Sequence, residues 1–216
     1  MKSLKFMVLA LASLALLGAD TVDEPHYEVV KKYEDFELRR YDPYLVAETE
    51  VESGFYNAAN LAFQRLADYI GGNNRKQEEI AMTSPVKQQP AEQEGEKIDM
   101  TAPVRQAPAS GDEDKEKYVI SFVMPAKYTM ENIPEPNDSR VKIRKVPSQL
   151  VAVRQYSGTW GLKNYLENEA ILLSAIEREG LEKAGEAVFA RYDPPWSLWF
   201  MRRNEVMVEV KDKKAD

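Results

Sequence analysis

The residues best equipped for chemistry stand near the end of the chain. There Pro194-Pro-Trp-Ser-Leu-Trp-Phe-Met-Arg-Arg203 gathers two tryptophans, a phenylalanine and a methionine and follows them with two arginines. A segment between two strand-like runs is ordinarily polar. Trp196, Trp199, Phe200 and Met201 must therefore cover an end of the core, line a ligand pocket, meet a partner or touch a membrane surface. A few residues on, Glu205 and Glu209 share one face of a strand-like run, because side chains alternate with period two. A buried carboxylate there could bind a cation or act as a general base, which keeps a hydrolase open; a carboxylate on a wet face is the plainer reading. No nucleophile elbow, His-Glu-x-x-His or phosphate loop accompanies the pair, so the chain reads as a binding protein and not an enzyme. His26 is the one histidine and there is no cysteine, which removes disulfides and thiolate metal sites, and no metal-ligand set is read from the sequence.

The elements that must position these residues follow from periodicity. Phe36-Glu-Leu-Arg-Arg-Tyr-Asp-Pro-Tyr-Leu-Val-Ala47 lies over Val141-Lys-Ile-Arg-Lys-Val-Pro-Ser-Gln-Leu-Val-Ala152 at a shift of 105 residues, and both alternate apolar with polar as half-buried strands do. Each is followed by small polar cap residues (Ser53-Gly54; Ser157-Gly-Thr159) and an amphipathic helix, Phe55 to Ile70 and Trp160 to Glu179. Phe55, Ala59, Ala62, Leu66 and Tyr69 mark the core stripe of the first; Leu162, Leu166, Leu173 and Ile176 mark that of the second. Gly71-Gly72 and Gly180 end them. Further strands are expected over 79–87, 97–106, 118–125, 187–192 and 204–211. Within them Ile80-Ala-Met-Thr-Ser-Pro-Val86 is repeated as Ile98-Asp-Met-Thr-Ala-Pro-Val104, two antiparallel strands about an exposed tip, with the prolines pointing to an edge or a bulge. The charged run 111–117 reads as a solvated hairpin tip, and 126–139 as an ordered crossover loop.

Composition bounds the rest. With 216 residues, 44% of them apolar, the chain can build a substantial core. Lys2 and Lys5 precede the apolar run Phe6 to Leu17, the outline of a secretory signal peptide over residues 1–19, leaving one domain over 20–216 with halves at about 27–125 and 140–211. Export, to a periplasm in a Gram-negative cell, is the expected destination. The net charge of −7, −9 without Lys2 and Lys5, argues against a nucleic-acid partner. The fold expected is α+β: a distorted, mainly antiparallel β-barrel with two helices, built from two pseudo-symmetric strand-helix-strands repeats, and monomeric.

Read in order, Tyr27-Glu-Val-Val30, Phe36-Glu-Leu-Arg-Arg-Tyr41, the twin Met-Thr-x-Pro-Val phrases, Val119-Ile-Ser-Phe-Val-Met-Pro125, Ile133-Pro-Glu-Pro136, Arg191-Tyr-Asp-Pro-Pro-Trp196 and Arg203-Asn-Glu-Val206 resemble the SOUL/haem-binding protein family over nearly the whole chain after residue 20. The resemblance implies a distorted barrel flanked by two helices and non-covalent binding of haem or a related tetrapyrrole. Such a disc needs an apolar wall, cations for its propionates and optionally an axial donor to iron. Tyr56 and Phe63, with small Ala59 and Ala67 beside them, and the Trp196, Trp199, Phe200, Met201 group are candidates for the wall. Arg65, Arg202 and Arg203 are candidates for the rim, because guanidinium meets carboxylate through a planar fork. Relatives with a histidine ligand carry it before the tyrosine at the place of Tyr41, where this chain has Arg40, so histidine ligation at that place is ruled out and binding by a hydrophobic cleft is expected. The same barrel could instead serve as an exported small-ligand or lipid carrier, or as an interaction module docking through the tryptophan loop.

Overall fold

The computed structural model describes residues 23–76, 95–108 and 117–212. The elements are β1 (Tyr27–Lys32), β2 (Glu37–Tyr41), β3 (Tyr44–Glu52), α1 (Phe55–Ile70), β4 (Asn74–Arg75), β5 (Val104–Pro108), β6 (Lys117–Val123), β7 (Glu135–Pro136), β8 (Lys142–Val146), β9 (Gln149–Tyr156), α2 (Leu162–Arg178), β10 (Leu181–Lys183), β11 (Val188–Arg191) and β12 (Asn204–Asp212), with a 3-10 turn at Trp199–Met201. The architecture is α+β. One antiparallel sheet runs β1-β2-β9-β12-β11-β5-β6-β3-β8, with β10 beside β12, and β4 and β7 form a small second ladder. The sheet curls as a half-barrel whose edges, β1 and β8, do not pair.

Both halves run strand, strand, helix, yet in neither do the two strands before the helix pair with each other. β2 lies against β9, with Arg39 opposite Val151, and β3 lies against β8, with Ala47 opposite Ile143. The sheet therefore needs both halves at once, and a one-residue slip in either pairing would turn every side chain to the wrong face. One face carries the helices: Leu45, Ala47 and Val51 of β3 and Ile120 and Phe122 of β6 meet α1, while Ala152, Val206, Val208 and Phe189 meet α2. The other face is concave and takes the alternate residues, among them Tyr41, Val151, Val153, Ala190 and Met207.

α1 occupies the expected residues, and Phe55, Ala59, Ala62, Leu66 and Tyr69 are all buried. Leu66 is wholly enclosed, and burying such a side chain contributes about 1.5–3 kcal/mol. Past Gly71, Gly72 takes φ of 116°, a conformation that ends the helix at no Cβ cost. α2 differs from expectation. Leu162 and Leu166 are exposed, and the buried stripe is Tyr165, Asn168, Leu172, Ala175 and Ile176. Two residues with polar tips hold that face because each has a partner. Tyr165 stacks on Phe55 at 5.8 Å, and Asn168 accepts a 3.0 Å hydrogen bond from Nε of Arg154, which reaches up from β9. Neither helix has a side-chain cap hydrogen bond; Gly54 of the expected Ser53-Gly54 pair is the N-cap of α1, whereas α2 is capped by Gly161, two residues beyond the expected 157–159 cap.

Of the expected 97–106 strand only the last three residues pair with the sheet, as the start of β5, which continues to Pro108. Residues 98–103 run as an irregular segment pinned at both ends. Ile98 is buried and its N–H donates to Ile70 O, while the Thr101 hydroxyl donates to Val123 O and the Ala102 N–H to Asp23 O. Pro103 has no N–H for a ladder. The crossover 126–139 is ordered by turns and by β7 on β4. The first Met-Thr-x-Pro-Val phrase, the 1–19 leader and nearly all of the charged tip (111–116) lie outside the described residues.

Candidate functional site

The tryptophan loop joins β11 to β12 and is a braced surface. Arg202 folds back along it, its Nε and Nη2 donating to Ser197 O (3.0 Å) and Pro195 O (2.7 Å). The Gly158 N–H donates to Trp199 O, fixing the loop to the segment before α2, and the Arg203 N–H donates to the Asp193 carboxylate at 2.6 Å. With the backbone satisfied inwards, the apolar side chains point out: Trp196 is 83% exposed, Met201 70%, and Leu198, Trp199 and Phe200 more than half. Large apolar side chains exposed side by side are the kind of surface that partner, membrane and ligand contacts use.

Behind the loop, rings and guanidinium groups alternate. Arg202 lies 4.2 Å over the Trp160 ring, and Arg191 stands 5.5 Å from Trp160, 5.8 Å from Phe55 and 4.7 Å from Phe189. These contacts tie the loop to the first residue of α1 and the entry to α2. Trp160 was read in the sequence only as the start of a helix; its place beside the cap glycines was the available signal.

The other wall and rim candidates lie apart. Phe63, on the third turn of α1, meets Phe122 edge-on at 5.4 Å and is less than half exposed. Arg65 donates to Thr49 Oγ1 (2.5 Å) and Glu50 O (3.3 Å) and stands 3.9 Å from Asp138. Tyr56 lies in the first turn of α1, its side chain outside the described residues. No hydrogen bond, ion pair or ring contact among the described residues joins Phe63 or Arg65 to the loop. The arginines differ in availability. Arg203 is held by Glu205 and by both oxygens of Glu24, at 2.9 and 3.1 Å. Arg202 meets only neutral carbonyl oxygens, so its charge is not neutralised by a carboxylate among the described residues.

Glu205, on the concave face, is fully buried. Its Oε1 accepts from Arg39 Nη1 (3.0 Å) and from Nε and Nη2 of Arg203 (3.1 and 3.0 Å), and its Oε2 accepts from Tyr192 OH at 2.6 Å. Both oxygens are thus engaged by the chain's own donors, three bonds on Oε1 and one on Oε2. Glu209 shares the face as expected but sits exposed at the mouth. Burial opposes the Arg39 charge more than any other single influence, yet Glu205 and the Tyr41 hydroxyl together hold its pKa above the ordinary arginine range. Burial, then the Glu205 charge, pushes Tyr192 well up and Tyr41 up to about 12. The alternation Glu37, Arg39, Tyr41 on β2 hinted at this cluster; its partner on β12 lies 166 positions away.

His26 lines a cleft of about 580 Å³ at one end of the half-barrel, with Tyr44, Met124, Tyr128 and Met130. Its Nδ1 stands 2.7 Å from Asp42 Oδ2, and the side chain is largely exposed. Among the described residues no group of three or more His, Cys, Asp or Glu is placed to hold a metal ion.

Comparison with known proteins gives a consistent answer. The chain is 30% identical over 187 residues to "Heme-binding protein 2" of Mus musculus, covering 82% of each chain, and 28% identical over 174 residues to "Heme-binding protein 1" of Xenopus tropicalis, covering 79% of this chain and 81% of that one. Among solved structures, the EcmrR C-terminal domain superposes with a TM-score of 0.57 at 9% identity, over 86% of this chain and 98% of that one, a likeness of fold alone. The sequence profile "SOUL heme-binding protein" matches residues 22–94 and again 88–209, so the chain belongs to the SOUL haem-binding protein family.

Proposed function

We propose that this protein binds haem or a related tetrapyrrole non-covalently, holding the apolar disc on the surface made by Trp196, Trp199, Phe200 and Met201 with Arg202 at its rim, and without histidine bonded to the iron. Membership of the family suggests the ligand class; the braced loop is the observation that carries the site. The residues fit the group: the exposed rings supply apolar surface, Trp199 and Phe200 standing at 88° so that one lies along a disc while the other meets its edge, and Arg202 has the one unneutralised guanidinium among the three rim candidates. Covering about 300 Å² of apolar surface at about 25 cal/mol per Å² contributes about 7.5 kcal/mol before association costs, to which a propionate contact adds. When bound, haem itself supplies the iron chemistry; the chain's part is to shield one face and pair the propionates. Action in the cell envelope as a monomer, near a membrane surface that the same loop could touch, belongs to this proposal and is motivated by Lys2, Lys5 and the Phe6 to Leu17 run.

The rival seat is the end cleft, where Asp42 holds Nδ1 of His26 at 2.7 Å, the kind of support that a metal-ligating imidazole receives. Titration of haemin and of iron-free protoporphyrin, followed by Soret absorbance and tryptophan quenching, separates the two. Trp199→Ala is expected to weaken both ligands by about 1–3 kcal/mol, while His26→Ala leaves both unchanged. Loss of haemin binding in His26→Ala with Trp199→Ala unaffected would move the site to the cleft.

A further inference from the structure

The tryptophan loop is built to leave water. Five of its carbonyls are already bonded within the protein: Pro194 O accepts from the Ser197 N–H, Pro195 O and Ser197 O from the Arg202 guanidinium, Leu198 O from the Met201 N–H and Trp199 O from the Gly158 N–H. A backbone carbonyl taken out of water without a partner costs free energy, so a loop satisfied in this way enters an apolar medium at a reduced cost. Residues 194–204 include no acidic side chain. The two carboxylates that flank them are both tied to Arg203, Asp193 accepting from its N–H and Glu205 from its guanidinium. What remains to face outward is Trp196, Leu198, Trp199, Phe200 and Met201 beside the unneutralised Arg202. Large apolar and aromatic chains next to a cation make up the kind of element that sits at the boundary of lipid and water.

A second observation bears on the partner. The chain enters the fold beside this loop: Glu24 pairs with Arg203, two positions after Met201, at 2.9 Å, and Asp23 O accepts the Ala102 N–H. The apolar run Phe6 to Leu17, preceded by Lys2 and Lys5, ends six residues before Asp23, a stretch that reaches about 20 Å at full extension. Wherever that run enters a bilayer, the fold is tethered by the end that carries the loop. We infer that the loop is a lipid-docking tip, with Trp196, Leu198, Trp199, Phe200 and Met201 in the headgroup and upper acyl region of a phospholipid bilayer and Arg202 at the level of the phosphates. This inference rests on the membrane placement proposed above and names its contact. Lipid docking needs no haem, so the two readings fail separately.

Tryptophan emission of the full chain, measured without haemin, provides the test. The tryptophans are Trp160, Trp196 and Trp199, and none lies in residues 1–22, so the signal reports the loop and not the leader. With vesicles of phosphatidylcholine and phosphatidylglycerol, emission is expected to shift to the blue and to be quenched by phosphatidylcholine brominated along its acyl chains. Added salt should leave the shift in place, because apolar burial carries the contact and salt screens only charges. Leu198→Asp keeps every tryptophan and puts a charge at the tip, and it should abolish both the shift and the quenching. In the double variant Trp196→Ser, Trp199→Ser, the remaining emission of Trp160, packed behind the loop under Arg202, should not respond to vesicles. No shift in the wild-type chain, an equal shift in Leu198→Asp, or a shift abolished by salt would overturn the docking. So would sedimentation in which Leu198→Asp converts a dimer to a monomer while vesicles leave the wild-type emission unchanged, a result that would give the loop to a second copy of the chain.

Discussion

Replacing Glu205 by alanine should destabilise the fold by about 3 kcal/mol, at the low end of the 3–5 kcal/mol seen when one partner of a buried ion pair is removed. The low end applies because each guanidinium keeps one other carboxylate. Arg39, 3% exposed, retains Glu37 through Nε and Nη2 at 2.9 Å, and Arg203 retains Glu24. The Tyr192 hydroxyl loses its 2.6 Å acceptor as well. For a domain of this size about 3 kcal/mol corresponds to a fall of about 6–12 °C in Tm, read by circular dichroism, with urea unfolding as a second measure. Glu48→Ala is the control: it breaks an equally short pair, with Arg144 at 2.8 Å, but one with a half-exposed guanidinium, and should cost no more than about 1 kcal/mol. Glu205→Gln, which keeps an acceptor and loses the charge, should fall between them. If Glu205→Ala costs no more than Glu48→Ala, the buried cluster does not hold the concave face together and its carboxylate has another purpose.

Three further outcomes are expected. A Cβ on Gly95 would stand 1.6 Å from Gly72 O, so Gly95→Ala should cost about 1–3 kcal/mol by overpacking, measurable by denaturant unfolding, whereas a neutral result would mean the two glycines do not meet. Hydrogen bonds from Arg140, first of all its side chain, hold the Asp138 carboxyl down to about 2 from 3.8. A depressed carboxylate stabilises the fold above its unfolded pKa, so that contribution is present above about pH 4 and lost as pH falls towards 2; in Arg140→Ala, NMR titration should find Asp138 back near its ordinary value. If residues 1–19 are a cleaved leader, mass spectrometry of the protein from the cell envelope should find an N-terminus near Asp20, and recovery of Met1 on that form would refute cleavage.

The amino-acid sequence alone determined what depends on near neighbours. Period-two alternation located most of the strands, and helical spacing with Gly71 and Gly72 placed α1 at its observed residues, because burial of a stripe and release of a backbone turn are local requirements. The apolar character of 194–201 was also plain from composition. Only the tertiary structure decided what depends on distant partners. Leu162 and Leu166 looked like core, yet Tyr165 and Asn168 took that face because Phe55 and Arg154 from other elements were there to receive them. Arg202 and Arg203 are adjacent and chemically identical, but one folds onto neutral carbonyls and the other onto Glu205 and Glu24, so only the fold tells which charge is left for a ligand. Arg105 gave no sign at all. A guanidinium becomes conspicuous only when the sheet curls around it and leaves two of its donors unmet, and that curl arises from β2 pairing with β9 and β3 with β8 across about a hundred residues of chain.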